Sequence, residues 1–282
     1  MGHKSQLFFF LALASAAIAL APSLALASQQ QTDAEAQARV FLNNGIQAYK
    51  NAHFDEAIED FKHAKQLDPS LTNASLFLAT AYASQFIPGA PAEDNLEKAR
   101  LAFEEYKNVL DKDPANLTAI DGAGGILYNM AGHPFDPEKM KESKTYHQRH
   151  IEIRPNDPEP YYWIGVIDWA MAYKAEQAIR EELSKSIPNP PAPADPLPEM
   201  ARQDFESKSG KDVDEGMEQL KKAISLKPDY DDAMAYLNLL YRLKADMESS
   251  PDARKFDIKT AEDLVDQVKS LKEKRMGIQT PQ

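Results

Sequence analysis

The spacing of one helix face recurs four times along the chain, with apolar or small residues in three of the four stretches, and each stretch ends at a proline. In four stretches, side chains at offsets 0, +4 and +7 are followed by a proline at +12. Residues at these offsets share one face of a helix, and proline lacks the N–H that would continue the helix. The stretches are Ala57, Phe61, Ala64 and Pro69; Ala102, Tyr106, Val109 and Pro114; Ser143, His147, His150 and Pro155; and Gly216, Leu220, Ala223 and Pro228.

A second position recurs ten residues after each proline, and it is small in three of the four cases. The residues are Ala79, Gly124, Gly165 and Asn238, and Gly45 stands in the corresponding place before the first stretch. A small residue lets a partner helix approach closely. The pattern predicts an array of helical hairpins, in which a first helix carries the small residue and a second helix ends at the proline.

Four sets of residues carry a family resemblance. They are Phe41, Gly45, Phe54, Ala57, Phe61, Ala64 and Pro69; Ala79, Tyr82, Ala102, Tyr106 and Pro114; Tyr161, Ile164 and Gly165; and Ala223, Leu226, Pro228 and Tyr236. With these residues the sequence resembles the tetratricopeptide repeat (TPR) family over residues 34–245, with gaps. The blocks Tyr161–Trp169 and Asp229–Arg242 also look like those of exported bacterial members of the family.

The resemblance implies an all-α fold for residues 28–282, a TPR-type helical-hairpin solenoid that forms a right-handed superhelix. The repeats are expected at residues 38–71, 72–116, 117–157, 158–230 and 231–275. Terminal repeats need a polar outer face, so Phe256–Arg275 is expected to be a C-terminal capping helix. Its buried side would hold Ala261, Leu264, Val265, Val268 and Leu271.

A proline-rich insertion, about residues 174–213, lengthens the fourth repeat. Within it, residues 175–184 are predicted to continue a helix, residues 198–207 to form a short helix and residues 208–211 to form a turn. Residues 188–198 contain six prolines and are predicted to be an extended, polyproline-type segment. This segment is interpreted either as a passive surface loop, or as a strap across a groove or a docking segment for a partner.

The first 27 residues have the order of a secretory signal. Lys4 precedes an apolar run, and the run closes with Ala25-Leu26-Ala27. This order predicts cleavage between Ala27 and Ser28 and export to the periplasm or beyond the cell. The alternative is an uncleaved membrane anchor, because the run is about as long as the 20 residues that span a bilayer.

Composition excludes several classes of function. The chain has no cysteine, so disulfide frameworks, thiolate metal sites and cysteine nucleophiles are ruled out. Its net charge is −12, which disfavours nucleic-acid binding. The sequence contains no phosphate-binding glycine loop, zinc-protease motif, nucleophile elbow or calcium-binding loop, and Gly122–Gly125 are interpreted as close-packing positions. We therefore expect no enzymatic activity and no cofactor.

The strongest metal-ligand pattern is His147 and His150, three residues apart on a predicted helix. Two histidines at this spacing can share one ion if a third ligand joins them, and His133, Asp136 or Glu138 could supply it. The alternative is that both histidines fill packing positions of the second helix and bond to nearby backbone or carboxylate groups.

Under the resemblance, the first helices line a concave groove, and their inward positions are the candidate binding residues. They are Tyr49, Asp121, Tyr128, Asn129, Tyr162, Trp169 and Arg242, beside the mainly apolar Leu42, Ile46, Leu76 and Thr80. Aromatic anchors with a few polar neighbours suit peptide recognition. The alternative for Tyr162 and Trp169 is that they pack beneath the proline-rich segment.

Three functional hypotheses follow. The first is an exported, non-enzymatic scaffold that holds a protein or peptide partner of the cell envelope in the groove. The second is an envelope assembly protein that an uncleaved N-terminal segment tethers to the membrane. The third is a metal-binding protein that uses His147 and His150.

Overall fold

The computed structural model describes the backbone of residues 11–277 and the side chains of residues 29–277. All regular structure in this described part is α-helical, in agreement with the predicted fold class. The ten helices are α1 (Leu11–Lys50), α2 (Phe54–Leu67), α3 (Thr72–Gln85), α4 (Glu93–Lys112), α5 (Leu117–Ala131), α6 (Pro137–Ile153), α7 (Pro158–Ser186), α8 (Glu199–Leu226), α9 (Asp231–Ala245) and α10 (Pro251–Arg275).

The predicted signal segment, residues 1–27, lies outside the residues with described side chains, and its cleavage stays a prediction. Among the residues whose placement is described, no helix combines the length and the apolar character needed to cross a bilayer.

The helices pack as consecutive hairpins, and the hairpins belong to two compact units. The first unit holds the described residues up to Ile87 together with Pro91–Pro114. The second holds Pro88–Ala90 and the described residues from Ala115 onward. In the first unit, α1 packs on α2, α2 on α3 and α3 on α4; in the second, each helix from α5 to α10 packs on the next, and α7 also contacts α9. The repeat boundaries drawn from the sequence stay a prediction.

Local sequence sets where the helices begin and end. The second helices α2, α4, α6 and α8 each end two residues before one of the four repeat prolines. Several starts are capped by side chains that accept hydrogen bonds from free helix N–H groups. Asp136 accepts from the N–H groups of Glu138 and Lys139, and Asp157 accepts from that of Glu159. Both caps precede a proline at the first helical position, where its missing N–H has no cost.

The small residues of the repeat mark the closest helix contacts. A Cβ added to Gly45 would lie 2.6 Å from the Phe61 ring, and one added to Gly165 would lie 2.4 Å from Leu220. At Gly124 it would meet the His147 ring at 2.8 Å. Gly125 is different, because an added Cβ would have no atom within 4 Å. The close-packing interpretation of Gly122–Gly125 is therefore right for Gly124 and wrong for Gly125.

The insertion of the fourth repeat is mostly helix. Residues 175–184 continue α7 as predicted, but the predicted turn at residues 208–211 is wrong, because these residues lie inside α8. Phe205, Ser209 and Val213 are buried at four-residue spacing on one face of α8, and Gly210 lies in the same helix beside this stripe. The short helix predicted at residues 198–207 is the first part of the same long helix. Only residues 187–198, called the proline loop below, are non-helical.

The C-terminal helix α10 begins at Pro251, five residues earlier than predicted. Ala261 and Leu264 are buried, and Val268 and Leu271 pack against the core. Val265 was expected on this side but is exposed, because a residue next to a buried position is rotated by about 100° around a helix of 3.6 residues per turn.

Candidate functional site

A row of six aromatic side chains crosses the first helices of the second unit. Its members, in order of contact, are Tyr128 on α5, Trp163 and Tyr162 on α7, Tyr236 on α9, and Trp169 and Tyr173 on α7. Neighbouring ring centroids lie 5.1–5.8 Å apart. Such spacings are typical of favourable aromatic pairs, so the row forms one continuous surface, called the aromatic row below.

The row arises from helical spacing. Tyr162, Trp169 and Tyr173 are seven and four residues apart on α7, which places them on one helix face. Tyr236 of α9 packs edge-on against both Tyr162 and Trp169. Tyr173 remains 38% exposed at the end of the row, so the surface is accessible there.

Of the predicted inward residues, Tyr128, Tyr162 and Trp169 enter this row. Asn129 and Arg242 lie beside it in the two pockets described below. Tyr49 belongs to the first unit, where its hydroxyl bonds to Ser84 at 2.8 Å. The carboxylate of Asp121 is hydrogen-bonded to His150.

Trp163 was missed by the sequence reasoning. Its ring contacts Tyr128 and Tyr162 and is stacked on His147 at a centroid distance of 5.8 Å. It follows Tyr162 directly and therefore points to a different side of α7, so the inward spacing did not select it. Tyr173 could have been found, because it stands one helical turn after Trp169.

Two pockets border the end of the aromatic row, and both lie within the second unit. The apolar pocket has a volume of about 290 Å³ and is lined mainly by Tyr128, Phe135, Met140, Trp169 and Tyr173. Asn129, His133 and Lys174 stand at its edge. It is about as large as the smaller ligand pockets of proteins, which start near 300 Å³.

The charged pocket has a volume of about 1090 Å³ and adjoins the apolar one. Trp169, Tyr173 and Lys174 border both pockets. The charged pocket is completed by α9 and by one residue of the proline loop; these are Leu239, Arg242, Leu243, Asp246 and Pro193. The predicted strap therefore contributes Pro193 to the lining of this pocket.

Arg180 fixes the proline loop beside the charged pocket. Its guanidinium pairs with Glu176 one turn earlier and with Asp246 of α9, the latter at 2.6 Å. It also donates to the backbone carbonyl groups of Ala192 at 3.3 Å and Asp195 at 3.4 Å. Burial raises the pKa of Asp246 above its usual range, although the neighbouring Arg180 opposes the shift.

Arg254 of α10 makes a second attachment to the same loop. It lies 3.6 Å from the Asp246 carboxylate and donates to the Ala194 carbonyl group at 2.8 Å. Leu197 of the loop is buried in the core between α7, α8 and α9. The loop is thus attached to α7 and α10 and does not hang free.

The two candidate metal ligands have different surroundings. His150 Nδ1 lies 2.7 Å from the Asp121 carboxylate, and His150 Nε2 lies 3.5 Å from that of Asp157. His147 is 1% exposed, and neither of its ring nitrogens has a hydrogen-bond partner within the described chain. Burial, and to a smaller extent His150, lowers the pKa of His147 to about 4.

These surroundings agree with the packing interpretation for His150 but not for His147. His150 bonds to a carboxylate as the packing interpretation expects, but His147 stacks on Trp163 and bonds to none of the described groups. No cluster of three or more metal-ligating side chains occurs among the described residues, so the metal hypothesis gains no support.

No protein-family model matches the chain, and no curated protein matches it. Solved structures do. A MamA protein at 15% identity has a TM-score of 0.57 and covers 87% of this chain and 97% of its own. MamA of Desulfovibrio magneticus RS-1, from its position 41 onward, has 16% identity and a TM-score of 0.54, covering 84% of this chain and 96% of its own. YrrB, described as a TPR protein with an unusual peptide-binding site, has 16% identity and a TM-score of 0.50, covering 84% and 87%. At these identities the likeness establishes the fold.

Proposed function

Because this chain has the fold of tetratricopeptide repeat proteins, we propose that it is a non-enzymatic scaffold that binds a protein or peptide segment. The observation that carries the proposal is the aromatic row with its two adjoining pockets on the first helices of the second unit. Aromatic side chains dominate binding energy at interfaces, because they bury a large area with few rotatable bonds. A peptide-binding site in a protein of similar fold, YrrB, agrees with this role.

The surface is preorganised for binding a partner segment for two physical reasons. Its side chains stand on helices that pack on their neighbours, so binding requires little ordering of the protein. The rings are also fixed by their mutual contacts, with Trp169 stacked on Tyr173 at 5.3 Å. The proline loop, held by Arg180 and Arg254, borders the charged pocket through Pro193.

We further propose that the chain is exported and that residues 1–27 are removed. The test is the intact mass of the protein recovered from the producing cells. Export with cleavage gives a chain that begins at Ser28. A full-length chain in the membrane fraction would instead support the tethered envelope protein.

Binding can be tested with a random library of acetylated, amidated dodecapeptides and the immobilised protein. We expect capture of a subset of peptides and loss of that capture in Tyr173→Ala, which removes a 38% exposed ring at the end of the row. The matched control is Phe256→Ala, because Phe256 is 69% exposed on α10 and lies outside the row. Equal losses in both variants, or no captured peptide, would contradict the proposal.

A further inference from the structure

The charged pocket is lined by three cations, Lys174, Arg180 and Arg242, and by an equal number of carboxylates. Three carboxylates line the pocket, and each is already paired: Glu176 and Asp246 with Arg180, and Glu181 with Lys185 at 2.6 Å. Asp246 is paired a second time, with Arg254. The two remaining charges of the lining are Lys174 and Arg242, and neither forms a salt bridge with any described residue.

Arg242 is oriented for use by a ligand. Its Nε donates to Asn238 Oδ1 at 3.1 Å, and Asn238 in turn donates to the Ala235 carbonyl group at 2.6 Å. Asn238 is buried, so its amide holds one edge of the guanidinium in place. The two terminal nitrogens of Arg242 remain, and these are the atoms that bind a carboxylate in a bidentate fashion.

The apolar pocket and the two unpaired cations lie close enough to act on one ligand. Lys174 borders both pockets, as do its neighbour Tyr173 and Trp169. A segment that places an apolar side chain in the 290 Å³ pocket would therefore carry its next residues past Lys174 toward Arg242. Both cations are exposed, so a ligand can reach them from solvent.

We propose that this site recognises an acidic peptide segment in which an Asp or Glu side chain lies within a few residues of a large apolar side chain. The apolar side chain occupies the apolar pocket, and the carboxylate pairs with Arg242 and Lys174. Charge complementarity favours an acidic segment, because Lys174 and Arg242 would repel a basic one. The inference rests on the proposed peptide-binding function and specifies its ligand.

The probe is the same library of acetylated, amidated dodecapeptides, sequenced after capture. Blocked termini ensure that any carboxylate in a captured peptide belongs to a side chain. A second library with free C-termini shows whether a terminal carboxylate can replace it. We expect Asp and Glu to be enriched within about four residues of Phe, Leu, Ile, Met or Trp, a separation that an extended peptide spans in roughly 13 Å.

The test variant is Lys174→Gln with Arg242→Gln, which removes both unpaired cations. The control is Lys211→Gln with Lys222→Gln, two exposed lysines of α8 outside both pockets, which changes the net charge equally. We expect the enrichment to disappear in the test variant and to persist in the control. For one captured peptide, Arg242→Gln alone should weaken binding about tenfold, equivalent to about 1.4 kcal/mol.

The possible outcomes distinguish a failure of this inference from a failure of the proposed peptide-binding function. Capture of peptides without acidic enrichment, enrichment of Lys and Arg, or enrichment that survives in the test variant would overturn the inference and leave the peptide-binding scaffold standing. Enrichment only in the library with free C-termini would also overturn it, because the terminal carboxylate would then be the recognised group. Failure to capture any peptide would overturn both.

Discussion

Gly165 illustrates how one residue controls the distance between two helices. It lies on α7 against Leu220 of α8, and the Leu220 side chain is fully buried. An added Cβ would lie 2.4–3.0 Å from three carbon atoms of that side chain. Since the surrounding core is densely packed, Leu220 cannot move away without disturbing its neighbours.

We therefore expect Gly165→Ala to lower the free energy of unfolding by about 1–3 kcal/mol, the usual cost of overpacking a core. Gly125→Ala is the matched control, because Gly125 is also in a first helix but has no atom within 4 Å of an added Cβ. It should raise stability by about 0.5–1 kcal/mol, since alanine favours the helix. Urea unfolding of both variants measures the difference, and an equal effect at the two sites would contradict the close-contact explanation.

His147 makes stability depend on pH in a defined window. Its pKa is about 4 in the folded chain and about 6.5 when unfolded, so the unfolded state binds more protons between these values. The stabilisation by neutral His147 is complete above about pH 6.5 and is lost progressively as the pH falls toward 4.

We expect the wild type to lose roughly 3 kcal/mol relative to His147→Gln between pH 7 and pH 4. The wild type and His147→Gln must be compared at each pH, because Asp168 titrates in the same pH window in both proteins. Burial raises the pKa of Asp168 to about 7, despite Lys144 at 2.6 Å, which by itself favours the folded state at lower pH. Urea unfolding at several pH values gives the difference, and a flat difference curve would mean that His147 can be protonated inside the fold.

The elements that the sequence predicted best are those with a local signal. Four second helices end two residues before a proline. Proline ends a helix through its own missing N–H and its ring, so this signal does not depend on tertiary contacts. The turn at residues 208–211 was wrong because a single glycine outweighed the four-residue spacing of Phe205, Ser209 and Val213. Helical spacing is the stronger signal in that stretch, since each of these side chains is buried.

The pockets could not be predicted from the elements alone. The charged pocket exists because Arg180 brings Asp246 of α9 and the carbonyl groups of the proline loop to one place. Asp246 lies 66 residues after Arg180 in the chain, and the carbonyl groups of Ala192 and Asp195 lie 12 and 15 residues after it. The sequence predicted Tyr128, Tyr162 and Trp169 as inward residues through the family resemblance, but the contact of Tyr162 and Trp169 with Tyr236 of α9 is a tertiary property.

Arg180→Met should test how much the attachment of the proline loop contributes to stability. Glu176 and Asp246 are both at least nine-tenths buried, so loss of Arg180 leaves buried charge poorly compensated. Removal of one partner from such a group typically costs about 3–5 kcal/mol. Urea unfolding should show this loss, and amide exchange should become faster at Ala192, Ala194, Asp195 and Leu197.

The control is Lys185→Gln on the same helix. Lys185 and Glu181 are 65% and 67% exposed, and solvent screens an exposed pair of this kind, so it contributes little to stability. If Arg180→Met were no more destabilising than Lys185→Gln, the buried network would not be holding the loop.

At the scale of the whole molecule, the two compact units differ in what they offer a ligand. The aromatic row and both pockets that border it belong to the second unit. In the first unit, the predicted groove residue Tyr49 is engaged by its own neighbours, with its ring 5.4 Å from that of Phe54 and its hydroxyl bonded to Ser84. We infer that the second unit carries the binding function.

We expect Tyr49→Ala to lower stability by about 1–3 kcal/mol through lost packing and to leave peptide capture unchanged. Tyr173→Ala should abolish capture with little effect on stability, because its ring is partly exposed. Thermal unfolding and library capture are measured on both variants. We expect Tyr49→Ala to lose stability alone and Tyr173→Ala to lose capture alone. Loss of capture in Tyr49→Ala would show that the first unit takes part in binding.

The manner in which the proline loop is attached has a consequence for how this protein can change over time. Arg180 and Arg254 hold the loop through the carbonyl oxygens of Ala192, Asp195 and Ala194, and every amino acid supplies the same carbonyl oxygen. Mutations at Ala192 and Ala194 can therefore alter the side chains displayed beside the charged pocket without releasing the loop. The loop is a place where evolution, or directed selection in the laboratory, can alter which segments are bound while the helices beneath it stay the same.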